Sequence, residues 1–552
     1  VEASAATSAA RDSVSVAAWT MVSRCTGVLR VVAIGAVFGP TALGNTFQFA
    51  SSLPNLVYYG FLAGSMSSSL LVPALVASVD AGDRRAVERI AGGFLGLAQT
   101  LLLAAVALAV LLGPLVLYVG TVGAGTAETG AAQERVVRLL LLLLMPQALL
   151  YALVSTATAV MNAHRRFALA AAAPALENLG LLVVLGVVAV TFGTGLAVED
   201  VPSAAVVVLG AGATGAVAAH AALQWWGARR AAGVVLRPRA GWRDPDVVLL
   251  AHRALPALGL AGLTAAQLLT LLVLANRMPG GVVAAQMGLT FYYFVVALAP
   301  APVALALLPR LARMHHLGEG ASFHAALLRG VSLVLFVVLP AAVGLLLLAV
   351  PLAQAITVGR MGTSTGTALV AASVTALAPG LVGEALFLLA TYGCFARRDT
   401  RSPLRSMLLQ TAVFAVLAVT SLFVEGAAVL LALGLAFSVA AVVGGFHLAS
   451  RLLRQLGGSG TQMIPRARRS VLGAALMAGP VWGVVALVTG LADGGAGALL
   501  AVAAATAVGV AVFVGLQAWW RAPELGWLLG RLPRPLRRHP PGGAAAEGGE
   551  GG

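Results

Sequence analysis

Lysine is absent from this 552-residue chain, so all 35 Lys-or-Arg positions are arginine. Cysteine occurs only twice, as Cys25 and Cys394, both inside apolar stretches. That excludes a disulfide framework and a cysteine-based metal site. Charge is scarce as well. Only 10% of residues are charged, where a soluble domain carries about 25%. Signatures of catalysis are also missing: there is no Walker loop, no paired carboxylates beside a histidine and no metal-ligand spacing. No cofactor, no metal and no enzymatic activity are therefore expected, and an ATP-driven pump would need its nucleotide domain from another chain.

Apolar sequence is what the chain has in abundance. Hydrophobic residues make up 60% of it, and its mean hydropathy is +0.95. Apolar runs of about 20 residues, enough to cross ~30 Å of hydrocarbon as a helix, recur from end to end. The alternating ten-residue segments of a membrane barrel are not seen. The fold class is thus all-α, polytopic and membrane-embedded, with about 14 transmembrane helices. The first run, Val14–Phe38, is too long for a signal-peptide core and is expected to be the first span.

Six spans precede Trp226, in order Val14–Phe38, Thr46–Ser78, Arg89–Tyr118, Val136–Met161, Phe167–Phe192 and Pro202–Trp226. Six more run through Val247–Leu274, Val282–Leu308, Phe323–Leu348, Thr367–Phe395, Pro403–Val424 and Ala427–Leu453. Ser470–Leu491 and Ala496–Trp520 complete the set. Arginine clusters fall in alternate loops, such as Arg84 and Arg85, Arg165 and Arg166, Arg397 and Arg398. The intervening loops hold acids such as Glu199, Asp200 and Glu425. By the positive-inside rule both termini are cytoplasmic, and the +15 net charge is a topology signal rather than a nucleic-acid footprint.

A weak internal repeat accompanies the alternation. LVPAL (71–75) ends the second span and LLPRL (307–311) the eighth, while AHRR (163–166) follows the fourth and ARRD (396–399) the tenth. Two six-helix lobes in parallel repeat, 1–226 and 227–460, would give these near-equal offsets. Two extra helices, 461–520, and a disordered cytoplasmic tail, 521–552, follow. The tail's Arg531, Arg534, Arg537 and Arg538 suit anionic headgroups, or a partner protein.

Ionisable residues inside spans are the candidate functional groups, because an arginine at mid-bilayer costs at least ~2.5–3.5 kcal/mol. Arg24 and Arg30 lie in the first span and suit an anionic headgroup, through the bidentate guanidinium. Glu177 and Glu384 are the buried acids, each either a proton or cation coupling site or the counter-ion of an arginine. His220 and His447 sit near helix ends and are expected to reach water. Tyr292 and Tyr293 either line a cavity or pack. Pro54, Pro73, Pro146, Pro256, Pro300, Pro302 and Pro340 are expected to interrupt helices.

Four stretches resemble the MviN/MurJ lipid II flippase family, of the multidrug/oligosaccharidyl-lipid/polysaccharide exporter superfamily: SRCTGVLR (23–30), LPNLVYYGFLAGSMSSSLLVPAL (53–75), and the loops VMNAHRRFALAAAAPALEN (160–178) and FARRDTRSP (395–403). The resemblance implies two lobes around a central cavity, with the last two helices lining a hydrophobic groove. It also implies alternating access that carries an undecaprenyl-linked disaccharide pyrophosphate outward across the cytoplasmic membrane. Arg24 and Arg30 match the arginines of the family's first-helix motif. Asn45 stands where relatives have an acid, and Tyr58 and Tyr59 where they have adjacent arginines; all three are counted as substrate-binding by position. A family acid is replaced by Ala63, and an eighth-helix arginine falls at about Val296. Other readings are an exporter of another lipid-linked polysaccharide unit or of a cationic drug, and a non-transporting scaffold for envelope assembly.

Overall fold

The computed structural model describes residues 2–62, 71–121, 127–492 and 494–528. Among the described residues the chain is helical with no strand. In the first half the helices are α1 (Glu2–Phe38), α2 (Ala42–Leu62), α3 (Val72–Asp80), α4 (Arg84–Thr121), α5 (Ala127–Leu144), α6 (Gln147–Ala163), α7 (Phe167–Phe192) and α8 (Ser203–Ala232). The second half holds α9 (Pro245–Ala275), α10 (Gly281–Leu298), α11 (Pro300–His316), α12 (Gly320–Ile356), α13 (Ser364–Leu377), α14 (Gly380–Ala396), α15 (Arg401–Ala418) and α16 (Ala427–Gln455). Last come α17 (Met463–Leu491), α18 (Gly494–Trp519) and the short α19 (Pro523–Leu528).

Twelve helical stretches among the described residues are long and apolar enough to cross a membrane. A thirteenth is the pair α13 and α14, bent by 47°. The remaining expected span, Thr46–Ser78, runs through 63–70, which lie outside the described residues together with Ala63. The protein is a multi-pass membrane protein.

Proline breaks some of these spans and not others. The fourth breaks at Met145–Pro146, the eighth at Ala299–Pro300 and the tenth at Ala378–Pro379. Pro54, Pro256 and Pro340 stay inside continuous helices, contrary to expectation. Pro73 and Pro302 lie in the first turn of α3 and α11, where a missing N–H leaves no helical bond unmade.

The repeated loops share one turn. After α6, Arg165 takes φ 57° and the N–H of Arg166 reaches Met161 O at 2.9 Å. After α14, Arg398 takes φ 59° and the N–H of Asp399 reaches Cys394 O at 2.9 Å. Both close their helix with a left-handed residue and a Schellman-type bond. Arginine in that conformation is uncommon, and it stands at the same place in both copies.

The first and second halves of the chain meet tightly on the face away from the arginine-rich loops. Asn45 of α2, 1% exposed, donates to Met278 O (2.6 Å) and accepts from the Val282 N–H (2.9 Å). Nearby, the Gly280 N–H bonds Thr41 O, and Arg360 bonds Thr194 across to the α7–α8 loop. α17 and α18 pack on each other and on α12, where Phe336 meets Phe513 at 5.1 Å between ring centroids.

A disordered tail was expected from residue 521; as far as the described residues run, Ala522 is buried, α19 follows with Glu524 buried in it, and Leu525 packs against the Phe336 cluster. The arginines from Arg531 to Arg538 lie outside the described residues.

On the arginine-rich face, the linker between the two groups lies across α4. Arg89, Gly92, Gly93 and Gly96 share one side of that helix, being spaced by three and four residues. The Arg239 N–H bonds Gly92 O at 2.9 Å. Glycine is required here, since a Cβ on Gly96 would fall 1.9 Å from Arg239 O. Arg89 pairs with Asp244 and, at 2.7 Å, with Asp246, fastening the linker's far end.

Candidate functional site: an arginine-bearing cavity

A cavity of about 720 Å³ opens among α1, α2, α6, α7 and α8, with α10 of the second group forming part of its wall. Its polar lining comes largely from α1. Arg24 and Arg30 both reach it although they stand six residues apart, roughly 9 Å along the helix. Arg24 is exposed and makes no hydrogen bond or ion pair among the described residues. Arg30 is half-buried and held by an acid from another helix: its guanidinium lies 3.4 Å from Glu177 Oε1.

Glu177, on α7, gathers four helices. Its Oε1 also accepts from the Tyr151 hydroxyl of α6 at 2.9 Å. Its Oε2 lies 2.9 Å from His220 Nδ1 on α8. A carboxylate oxygen there can only accept, so Nδ1 carries the proton. His220 Nε2 is buried with no partner among the described residues. Beside Glu177, the Asn178 amide donates to Thr26 Oγ1 (3.1 Å) and Ser23 O (3.3 Å), pinning α7 to the arginine helix. Opposed charges inside an apolar bundle justify their burial by such pairing.

The expected site residues divide. Arg24, Arg30, Glu177 and Tyr58 line the cavity, and the Tyr58 ring packs on Tyr151 at 5.7 Å between centroids. Asn45 does not; both ends of its amide are used in the seal described above. The Tyr59 side chain lies outside the described residues. Glu384 on α14 is also away from the cavity, near Tyr292 and Tyr293, with no hydrogen bond or ion pair among the described residues. Tyr293 lines the cavity, whereas Tyr292 is buried and donates to Gly380 O at 3.2 Å. Val296 is buried in α10.

His220 is a correction. Expected near a helix end in contact with water, it is 3% exposed. The helix runs on to Ala232, twelve residues beyond it. Tyr151 and Asn178 were not singled out either; Asn178 lies within the 160–178 stretch, but nothing in its spacing points at α1.

The description "Lipid II flippase MurJ" belongs to the family model that matches residues 34–500. The chain belongs to the MurJ family. That match begins after Arg24 and Arg30, so the first-helix arginines stand outside it. A probable lipid II flippase MurJ of Vibrio cholerae is 26% identical over 419 residues, covering 72% of this chain and 74% of that protein. One from Rhizobium meliloti is 28% identical over 472 residues, covering 84% of each. Among solved structures, a lipid II flippase MurJ in an inward closed conformation superposes with a TM-score of 0.70 at 16% identity, covering 92% of this chain and 98% of that one. A multidrug resistance MATE transporter of the MOP superfamily, facing inward, gives 0.61 at 12% identity, covering 80% and 98%. The MurJ fold is therefore shared well beyond recognisable sequence.

Proposed function

We propose that this protein flips lipid II, the undecaprenyl-pyrophosphate-linked peptidoglycan precursor, across the bacterial cytoplasmic membrane by alternating access. Membership of the MurJ family carries the class of substrate. The observation that favours this chemistry is Arg24: a guanidinium with no partner among the described residues, on the wall of a large intramembrane cavity, is costly unless an anion is to meet it. A drug exporter for cations has no use for it. Two phosphates in a row suit two arginines on one helix, with the disaccharide among the amides and hydroxyls of α6 and α7.

The working arrangement is two lobes, 1–226 and 227–460, rocking about the cavity, with 461–520 appended. Both termini and the arginine-rich loops are placed in the cytoplasm, following the positive-inside rule. The seal through Asn45, Gly280 and Arg360 then closes the outer side, so the cavity belongs to an inward-directed state. The basic tail docks on membrane lipid or on cell-wall synthesis enzymes, and the protein transports without chemical conversion.

Complementation tests the reading. Cells depleted of their own lipid II flippase are expected to grow when supplied with the parent and to lyse with Arg24→Ala at equal membrane levels. Failure of the correctly inserted parent removes the lipid II assignment. Rescue by both versions removes the role of Arg24.

A further inference from the structure

The transport reading uses the arginines but leaves unexplained why one of them is tied to an acid that is itself tied to a buried histidine. We infer that the Glu177–His220 pair is a proton-binding positioning site: it holds Arg30 while the cavity is empty and surrenders it to an anionic headgroup when His220 gains a proton. This rests on the transport reading above and deepens it, by coupling the headgroup to one proton.

The geometry gives the reason. Glu177 cannot satisfy Arg30 and His220 with one oxygen, and it does not: Oε1 faces Arg30 and Tyr151, while Oε2 faces His220. His220 Nδ1 is committed to Oε2, so an incoming proton has one place to go, Nε2. That atom is buried, without a partner among the described residues, on a residue of the cavity wall. The step moves a proton from hydronium in the cavity to Nε2: one O–H bond breaks, one N–H bond forms, and a neutral water is left behind.

The charges that face the pair are few. From α1 come Arg30 and, further along the wall, Arg24; from α6 comes Tyr151, beside Tyr58 of α2; from α10 comes Tyr293. No second acid lines the cavity among the described residues. With His220 neutral, Glu177 cancels Arg30, and Arg24 alone leaves the site at +1. With His220 protonated, Glu177 is answered by His220, Arg30 is free, and the site stands at +2. A pyrophosphate esterified at both ends carries two negative charges, one on each phosphate. The protonated cavity matches that charge; the unprotonated one falls short by one. After release to the other side, loss of the proton would return Arg30 to Glu177 and discourage rebinding.

The test uses the full chain in lipid nanodiscs and lipid II as the probe, because its doubly esterified pyrophosphate does not itself titrate between pH 5.5 and 9. Titration calorimetry in buffers of different ionisation enthalpy counts protons taken up on binding. About one proton per lipid is expected for the parent on the alkaline side, with affinity falling up to tenfold per pH unit there. His220→Gln is expected to abolish both the uptake and the pH dependence. Glu177→Gln, which frees Arg30 permanently, is expected to bind more tightly than the parent at pH 8.5 while transporting more slowly.

Binding by the parent with no proton uptake and a flat pH profile overturns the inference and leaves the transport reading standing. Uptake that persists in folded His220→Gln overturns it too, as does unchanged or weaker binding by Glu177→Gln. A parent that does not bind lipid II at all removes the transport reading, and the inference with it. Should His220→Gln fail to fold, the parent's proton count and the Glu177→Gln affinity still decide.

Discussion

Gly96→Ala tests the clamp that the inter-lobe linker makes on α4. The added methyl would sit 1.9 Å from Arg239 O and 2.8 Å from Arg239 N, both backbone atoms, so no side chain can swing aside. The linker must rise by about 1.5 Å to restore ordinary contact. That movement breaks the 2.9 Å bond from Arg239 N–H to Gly92 O. Overpacking of this kind costs about 1–3 kcal/mol, of which the lost hydrogen bond is roughly 0.5–1.5. Against it stands the helix preference of Ala over Gly, up to about 1 kcal/mol. That gain cancels when only the linker lifts, because α4 is helical before and after. Global unfolding would blur the two terms; local release of the linker isolates the clash.

Limited trypsinolysis reads that release. The Arg239–Ala240 and Arg243–Asp244 bonds are cleavable, whereas Arg237 precedes Pro238 and resists. When opening and closing outpace cleavage, the rate follows the open population. A cost of 1–3 kcal/mol then speeds cutting at these bonds by about 5- to 150-fold. Gly215→Ala, on an exposed side of α8 with nothing within 4 Å, is the control and should leave the rate unchanged. Equal cutting of the parent and Gly96→Ala would refute the clamp.

Three further outcomes follow from individual contacts. Asn45→Ala leaves Met278 O and the Val282 N–H without their partner and is expected to cost about 1–3 kcal/mol in thermal or denaturant unfolding in detergent. A cost near zero would mean that water replaces the amide. Gly383→Ala places a methyl 2.2 Å from the Ala441 carbonyl carbon on α16; the pair α14–α16 must separate, and membrane accumulation measured by blot should drop severely. Asp399 accepts from the Arg401 and Ser402 N–H groups and, at 2.5 Å, from the Ser402 hydroxyl. Burial pushes its carboxyl up, but the Ser402 and Arg401 bonds and the Arg397 charge together hold it below the usual carboxylate range. Its stabilisation is therefore present above about pH 4, the unfolded value, and fades as pH falls through the lower folded one. Asp399→Ala should cost about 0.5–2 kcal/mol at pH 7 and progressively less below pH 4, as seen by melting at each pH. A penalty that does not shrink with acid would refute the cap.

The helices were legible because each apolar run is long enough to span and is bounded by arginine or turn residues. Their breaks were not. A proline costs its missing bond wherever it stands, but Pro54, Pro256 and Pro340 remain inside continuous helices while Pro146, Pro300 and Pro379 sit at breaks. What decides is whether neighbouring helices take up the freed carbonyl, and that is a tertiary fact. His220 was misplaced for a simpler reason: α8 was ended at Trp226 and runs to Ala232. Trp225 and Trp226 carry the guanidinium groups of Arg229 and Arg230 on their rings, so the aromatic belt is part of the helix and not its end. The cluster of Arg30, Tyr151, Glu177 and His220 comes from four helices, and no period in a sequence links such positions.

The positions that depart from the family pattern have physical partners of their own. Asn45 takes the place of an acid at the seal between the lobes, where a neutral amide can donate and accept at once, and a carboxylate can only accept. Tyr58, in place of an arginine, packs on Tyr151 and so buttresses the hydroxyl that bonds Glu177. The cavity thus carries fewer fixed positive charges than the resemblance implied. A site short of arginine needs its remaining cations free at the right moment, and the only acid on its wall among the described residues is the one that withholds Arg30. Under the inferred proton coupling, the histidine behind that acid supplies the missing charge, and the thin arginine complement and the buried Glu177–His220 pair then share one physical explanation.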